Sequence, residues 1–210
     1  DPANTKLTGA QLYLDPARCY DSFQAMAEAE ARLPADKRID FVAIVTPNAA
    51  HYPAAVAFLD AGIHVVCDKP MTCSIEEAED LVTRVEKTGL VFALTHNYTA
   101  HPLIRHAREL FRSGRMGTVR KVVAEYLQDW LARPVERDGS KQAGWRTDPA
   151  QSGVGGALGD IGSHAFNLAE YVTGERVVEL SCDKTTFVQG RRLDDDANIL
   201  LRFAGGAKGI

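Results

Sequence analysis

DFVAIVT at residues 40–46 is a nearly continuous run of apolar, mostly β-branched residues. A run of this kind is typical of a strand that is buried on both faces of a parallel sheet, because helices cover such a sheet from both sides. We therefore predict an α/β arrangement in which helices flank this strand.

The same pattern repeats twice toward the C-terminus. A helical sequence at 52–61 precedes the apolar run IHVVC at 63–67, and a second helical sequence at 75–88 precedes LVFALTH at 90–96. Strands and helices that alternate with short joints indicate right-handed βαβ crossovers and a doubly wound parallel sheet. Because no G-x-G-x-x-G fingerprint is present, we expect the second half of a Rossmann sheet, with the first half missing from the chain.

The character of the sequence changes beyond Gly117. TVRKVVAEYLQDW at 118–130 alternates polar and apolar residues, which is typical of an antiparallel sheet with one wet face. We therefore divide the chain into domains at 1–114 and 115–210. Residues 131–158, rich in Gly, Pro and charge, are interpreted as a functional loop. A helix is predicted from about Asp160 to Val172, and strand-like runs follow it.

The composition excludes several classes of protein. The formal net charge is −4, and Lys and Arg are interspersed with Asp and Glu, so no basic stripe indicates nucleic-acid binding. No apolar run approaches the ~20 residues that cross a bilayer, and no signal peptide is recognised, so we expect a cytoplasmic protein without membrane contact. The four cysteines form no C-x-x-C pair, so we expect reduced thiols and no metal site.

Two loops follow the predicted parallel strands at their carboxyl ends, where open α/β folds bind ligands. The first contains Thr46, Pro47 and Asn48, which are candidate cofactor contacts, and the second contains Asp68 and Lys69. The alternative for the first loop is a simple turn and helix cap. The alternative for Lys69 is a solvated lysine paired with Asp68.

Asp160 and His164 are spaced by four residues on the predicted helix, so their side chains share one face. They are alternatively a helix-stabilising aspartate and a half-buried core histidine. Oxidation of an alcohol requires a base for the hydroxyl proton and a cation near the oxygen. His164 suits the first role and Lys69 the second, while Asp160 could orient the substrate or the imidazole.

Three separated motifs, in this order, strongly resemble the Gfo/Idh/MocA family of oxidoreductases. They are TPNAAHYPAAVAFLDAGIHVVCDKP at 46–70, THNY at 95–98, and WRTDP at 145–149 followed by GDIGSHAFNLAEYVTG at 159–174. The resemblance runs from about residue 20 to the end. It implies an N-terminal Rossmann domain joined to an α+β domain with an open, mainly antiparallel sheet, whose outer face forms homodimers or tetramers.

The resemblance also assigns roles to residues. It implies that the cofactor, NAD or NADP, is bound by Pro47, Asn48, His51, Asp68, Lys69, Asn97, Trp145 and Arg146. It implies that the substrate is bound by Lys69, Tyr98, Asp160, His164 and Asn167, with Lys69, Asp160 and His164 catalytic. Three positions depart from the family pattern: Asp68 replaces the glutamate of a Glu-Lys-Pro signature, Thr99 a common arginine, and Asn167 a frequent acidic residue.

The function implied is NAD(P)-dependent oxidation of a secondary alcohol on a sugar, inositol or related polyol. Two alternatives share the scaffold: a glycosidase that uses bound NAD for transient oxidation, and a non-catalytic sensor. The sensor predicts loss of the lysine or the histidine, and this sequence keeps both Lys69 and His164.

Overall fold

Residues 2–210 are described in a computed structural model, in which the chain divides into a first unit that ends at Thr95 and a second unit, His96–Ile210. The first unit is built on three parallel strands in the order β1-β2-β3. The strands are β1 Phe41–Ile44, β2 His64–Asp68 and β3 Phe92–Thr95, and the helices are α1 Pro2–Gln11, α2 Phe23–Ala31, α3 His51–Asp60 and α4 Ile75–Thr88. The predicted parallel Rossmann sheet is confirmed.

Local signals explain where α4 begins and ends. The Ser74 hydroxyl accepts a hydrogen bond from the Glu77 N–H at 3.2 Å, which caps the first turn. Gly89 ends the helix with φ at 66°, a backbone conformation that glycine adopts without a steric penalty. Ser74 and Gly89 thus flank the helical sequence predicted at 75–88 and account for its bounds.

The core of the first unit lies between α3 and the sheet. Phe58 and Leu59 of α3 pack in one cluster with Val42 and Ile44 of β1. The prediction that β1 is buried on both faces was wrong for the part of the chain that the structure describes. Side chains alternate along a strand, and only the face with Val42 and Ile44 is covered, so Phe41 on the other face is 56% exposed.

The second unit contains a four-stranded sheet in the order β4-β7-β6-β5. Its strands are β4 Lys121–Val122, β5 Val177–Thr185, β6 Asp196–Phe203 and β7 Lys208–Gly209. The pairs β5/β6 and β6/β7 are antiparallel and β4/β7 is parallel, so the expected mainly antiparallel sheet is confirmed. Helix α8, Ser163–Thr173, covers one face, where Ala169 packs with Phe203 and Ala207.

The alternating segment 118–130 forms less regular strand than its pattern predicts. Only Lys121–Val122 pairs as a strand, and the Ala124 N–H adds one further bond to the Ile210 carbonyl at 3.0 Å. The alternation itself persists, since Ala124 and Tyr126 are half-buried and their immediate neighbours are exposed. The segment is therefore extended, but beyond Ala124 it has no strand partner among residues 2–210.

The span 131–158 is more ordered than a loop. It contains two short helices, α6 Lys141–Arg146 and α7 Pro149–Ser152. Ser140 and Asp148 cap them by accepting hydrogen bonds from backbone N–H groups. Helices of four to six residues show no 3.6-residue periodicity, and for this reason the pattern did not predict them.

The boundary between the two units differs from the predicted domain boundary. The units divide at 95/96, whereas the sequence analysis placed the domain boundary at 114/115. The helix between these positions, α5 Pro102–Arg112, contacts α8 and is thereby grouped with the second unit. The division into 1–114 and 115–210 remains a prediction about domains.

Among the described residues, no helix combines the length and the apolar character that a membrane span needs. Cys67 is fully buried in the core of the first unit, as its place in the apolar run IHVVC at 63–67 would lead one to expect. Burial, and to a smaller extent the charge of Asp68, raises the pKa of its thiol to about 12.

Candidate active site

In the first unit, one histidine joins the two loops that leave the carboxyl edge of the sheet. His51 is 1% exposed, with Nδ1 2.7 Å from the Pro70 carbonyl oxygen and Nε2 2.9 Å from the Thr46 carbonyl oxygen. Each ring nitrogen thus lies within hydrogen-bonding distance of one carbonyl oxygen, and the tautomer decides which nitrogen donates. His51 thus holds the loop after β1 beside the loop after β2.

The second of these loops begins with Asp68. Its Oδ1 accepts a hydrogen bond from the Thr95 hydroxyl at 2.6 Å, because β2 and β3 place the two residues in register. Lys69 follows, half-buried, and its peptide bond to Pro70 is cis. In the loop after β1, Thr46 is exposed and Asn48 is buried. The five predicted contacts Thr46, Pro47, Asn48, Asp68 and Lys69 therefore lie on two neighbouring loops of one sheet edge.

In the second unit, His164 of α8 is packed against tyrosine rings. The His164 ring is 4.7 Å from the Tyr98 ring, centre to centre and edge-on at 75°, and 6.1 Å from the Tyr126 ring. His164 is only 8% exposed. The Tyr98 side chain comes from the 3₁₀ turn Asn97–Ala100, which also carries the exposed Asn97. The structure thus brings Tyr98 and His164 together, as expected if both contact one substrate.

A chain of hydrogen bonds extends from Tyr98 along the segment that follows β4. The Tyr98 and Tyr126 hydroxyls are 2.6 Å apart, Gln128 donates to the Tyr126 hydroxyl at 3.1 Å, and the Trp130 indole donates to Gln128 at 3.1 Å. The pKa of Tyr126 is raised, mainly by the hydrogen bond to Tyr98 and to a smaller extent by burial. Sequence reasoning missed Tyr126, Gln128 and Trp130, although period-two alternation places these three residues on one side of an extended segment.

Asp160 is fixed by an arginine from α6. Arg146 Nε donates to Asp160 Oδ2 at 3.0 Å, and the guanidinium also binds the Gln142 side chain. The same guanidinium lies 4.1 Å from the centre of the Trp145 ring and 5.7 Å from that of Trp130. Arg146 is therefore held by an ion pair and by aromatic rings, and it restrains the Asp160 carboxylate, for which a catalytic role is predicted.

The predicted helix from Asp160 begins differently. Residues Leu158–Gly162 form a π-helical turn, and the α-helix starts only at Ser163. A π-turn has a wider period than an α-helix, so the α-helical expectation that Asp160 and His164 lie one regular turn apart does not apply unchanged. Asn167 lies half-buried on α8, three residues beyond His164.

A buried aspartate that the sequence analysis did not identify anchors the approach to this turn. The Asp194 carboxylate accepts hydrogen bonds from the N–H groups of Gly156 at 2.9 Å and Leu158 at 2.7 Å. Its backbone carbonyl accepts a third from Ala157 at 2.9 Å. Because only Asp195 separates Asp194 from the start of β6, the sheet sets the position of the turn that carries Asp160.

Comparison with known proteins follows the same division of the chain. Residues 9–96 match the family model described as "Oxidoreductase family, NAD-binding Rossmann fold", and residues 104–210 match that of the "GFO/IDH/MocA C-terminal domain". The chain belongs to the Gfo/Idh/MocA family. The expected family membership and the NAD-binding class of its Rossmann domain are thereby confirmed.

Individual relatives in the family are about 30% identical to this chain over the aligned residues. An uncharacterized oxidoreductase, YfiI of Bacillus subtilis, is 31% identical over 100% of this chain and 53% of its own length. Levoglucosan dehydrogenase of Pseudarthrobacter phenanthrenivorans is 29% identical over 83% of this chain and 49% of its own. The chain spans about half the length of the relatives it matches.

Solved structures show the same relationship. An inositol dehydrogenase homolog from Azotobacter vinelandii, complexed with NAD⁺, is similar with a TM-score of 0.93 and 37% identity over 100% of this chain and 54% of that one. The homolog complexed with NADH and myo-inositol is similar with a TM-score of 0.89 and 36% identity, over 100% of this chain and 52% of that one.

Proposed function

We propose that the full-length protein transfers a hydride between NAD or NADP and a secondary alcohol carbon of a sugar, inositol or related polyol. The observation that carries the proposal is the arrangement within the second unit. There, the buried His164 imidazole packs against Tyr98, and Asp160 is held by Arg146. The inositol and levoglucosan dehydrogenases among the relatives support the substrate class.

Each of the three proposed catalytic residues has one task. His164 accepts the hydroxyl proton as the hydride leaves carbon, since imidazole exchanges protons near neutral pH. The Lys69 ammonium stabilises the negative charge that develops on the oxygen. Asp160, restrained by Arg146, accepts a hydrogen bond from the substrate and so orients the reacting carbon.

The cofactor would be held by the loops at the carboxyl edge of the first unit. The exposed Thr46, with Pro47 and Asn48, offers polar groups after β1, and Asp68 and Lys69 do so after β2. The two ring nitrogens of His51 contact one backbone carbonyl oxygen in each loop and so hold the loops side by side. Asn97, Trp145 and Arg146 are the contacts proposed from the second unit. The nicotinamide, when bound, supplies the hydride acceptor.

We further propose that the protein forms a homodimer or tetramer through the sheet of the second unit. Val123, Val178 and Leu200 are apolar side chains of this sheet and the segment after β4, and each is exposed. Exposed apolar side chains on a sheet are what a partner subunit would bury.

The proposal is tested by replacing Lys69 and His164 with alanine in the full-length protein. Turnover of a polyol substrate should fall by roughly 10²-fold or more in each variant, because each loses a group that acts in the transition state. Binding of NAD(P), measured by calorimetry, should survive in both variants, because the other proposed cofactor contacts remain when Lys69 is replaced. Lys87→Ala and His106→Ala, both at exposed positions, are the matched controls and should keep wild-type turnover. Wild-type turnover in Lys69→Ala or His164→Ala would remove that residue from the mechanism.

A further inference from the structure

A cavity of about 260 Å³ lies within the second unit, beside Asp160. Ligand pockets for drug-sized molecules measure roughly 300–1,000 Å³, so this cavity suits a smaller molecule such as a single sugar or inositol ring. Its lining includes the aromatic and aliphatic side chains of Trp130, Phe187, Val188 and Leu193, together with polar and charged side chains. Trp130 is 38% exposed, so its indole offers a surface to a ligand.

Negatively charged side chains outnumber positively charged ones in the lining of the cavity. Two are guanidinium groups, Arg146 and Arg191, and four are carboxylates, Asp160, Asp194, Asp195 and Asp196. Carboxylate oxygens accept hydrogen bonds from hydroxyl groups and repel other anions.

Both guanidinium groups already bind carboxylates of the protein. The Arg191 side chain is 3% exposed and donates to Glu136 Oε2 at 3.0 Å and to the Leu131 carbonyl at 2.7 Å. Arg146 donates to Asp160. An anionic ligand would therefore have to compete with existing ion pairs for these two groups, whereas a neutral ligand needs only to donate hydroxyl hydrogens to the carboxylates.

We propose that this cavity is the subsite for the neutral, hydroxyl-bearing ring of the substrate, and that its carboxylate excess selects against sugar acids and sugar phosphates. The proposal rests on the function proposed above, because it assigns the selectivity of the site that contains Asp160. In it, the ring lies against Trp130, and its hydroxyls donate to Asp160 and Asp196. Asp196 Oδ2 also accepts a hydrogen bond from Asn198 at 3.1 Å, which holds the carboxylate in place.

The test measures binding by tryptophan fluorescence in the full-length protein with the reduced cofactor bound, so that no alcohol is oxidised. The probes are D-glucose against D-glucuronate and D-glucose 6-phosphate, and myo-inositol against myo-inositol 1-phosphate. We expect a saturable change for at least one neutral probe, with a dissociation constant about tenfold or more below that of its anionic partner. The change should be lost in Trp130→Phe. Equal or tighter binding of the anionic probe, or no response to any probe, would overturn the proposal.

A pair of charge variants tests the cause of the selectivity. Asp196→Asn removes a lining charge with little change of shape. The dissociation constant of the anionic probe, divided by that of the neutral probe, should fall at least about threefold. Asp183→Asn changes the net charge equally at an exposed position of β5 outside the cavity and should leave the ratio unchanged. An unchanged ratio in Asp196→Asn would contradict the electrostatic explanation.

The outcomes separate this proposal from the proposed function. Selective binding of a neutral probe without any oxidation of it would leave the subsite in place and contradict the dehydrogenase activity. Oxidation of a sugar acid as efficiently as its neutral sugar would support the dehydrogenase activity and contradict the selectivity proposed for the subsite.

Discussion

Glu30 has no exposed side-chain surface, yet it carries a charge. Its carboxylate accepts hydrogen bonds from the Arg18 guanidinium at 2.7 and 2.8 Å, from the Tyr20 hydroxyl at 2.7 Å and from the Ile39 N–H at 3.0 Å. Burial alone would raise the pKa of Glu30, but these hydrogen bonds outweigh burial and hold the pKa below its usual value of 4.5. A single side chain thus ties α2 to the segments on either side of it.

Replacing Glu30 by glutamine should lower the free energy of unfolding by about 1–3 kcal/mol at pH 7, because buried donors lose a charged acceptor. The folded pKa is lower than the unfolded pKa, so the stabilisation is present above pH 4.5 and is lost as the pH falls through the folded value. Denaturant unfolding should therefore show that the difference in free energy of unfolding between wild type and variant is smaller in acid than at pH 7.

The matched control is Glu28→Gln on the same helix. Glu28 pairs with Arg32 at 3.8 Å, and both side chains are largely exposed, so stability should hardly change. A gap between wild type and Glu30→Gln that widened in acid would contradict the assignment of a charged, hydrogen-bonded carboxylate.

Sequence reasoning identifies chemically distinctive residues better than their partners. Lys69, Asp160 and His164 were predicted to be catalytic from motif position and chemistry, and their roles stay predictions. The contact of His51 with the Pro70 carbonyl spans 19 residues, and the Tyr98–Tyr126 hydrogen bond spans 28. Such contacts depend on which loops the fold brings together, and no local pattern specifies them.

At the scale of elements, the approach to the π-turn is set by close packing. A Cβ added at Gly156 would collide with the Asp194 carbonyl oxygen and approach the Leu193 side chain, whereas one added at Gly159 would meet nothing within 4 Å. Neither glycine has a positive φ, so the difference between them is steric. Gly156 is therefore required by the tight contact between this loop and the segment before β6.

Gly156→Ala should destabilise the protein by about 1–3 kcal/mol, because the backbone must shift to admit the methyl group. Turnover should fall as well, since the shift moves the turn that carries Asp160. Gly159→Ala should leave the melting temperature at or above the wild-type value, because alanine favours helical backbone. Thermal unfolding and initial rates of the two variants check this. Equal stability of both would show that the contact with Asp194 does not determine the loop.

Periodicity predicted the long elements and missed the short ones. Helix α4 was predicted with its bounds, since a capping serine, a terminal glycine and fourteen residues of pattern agree. Helices α6 and α7 and the π-turn are too short to show a period. The strand at 118–130 was overestimated, because alternation reports which side chains are covered and does not report whether a neighbouring strand is present.

At the scale of the molecule, the fold class followed from the sequence more securely than the function. Apolar runs separated by helices specify a parallel sheet, and alternation indicates a second, antiparallel one; both are confirmed. In the subsite that we propose, substrate selectivity depends on side chains such as Trp130 and Asp196, which line a cavity formed by distant segments. A motif does not encode that cavity, so the sequence indicated a sugar or polyol and no single compound.

Hydride transfer from substrate carbon to nicotinamide is the claim on which the functional account depends. It is measured most directly with a polyol deuterated at the reacting carbon, incubated with the full-length protein and oxidised cofactor, followed by mass spectrometry of the nicotinamide. We predict one deuterium in the reduced cofactor, formed in step with the ketone product and abolished in His164→Ala. Release of sugar from a glycoside with no net formation of reduced, deuterated cofactor would contradict the account and favour a glycosidase.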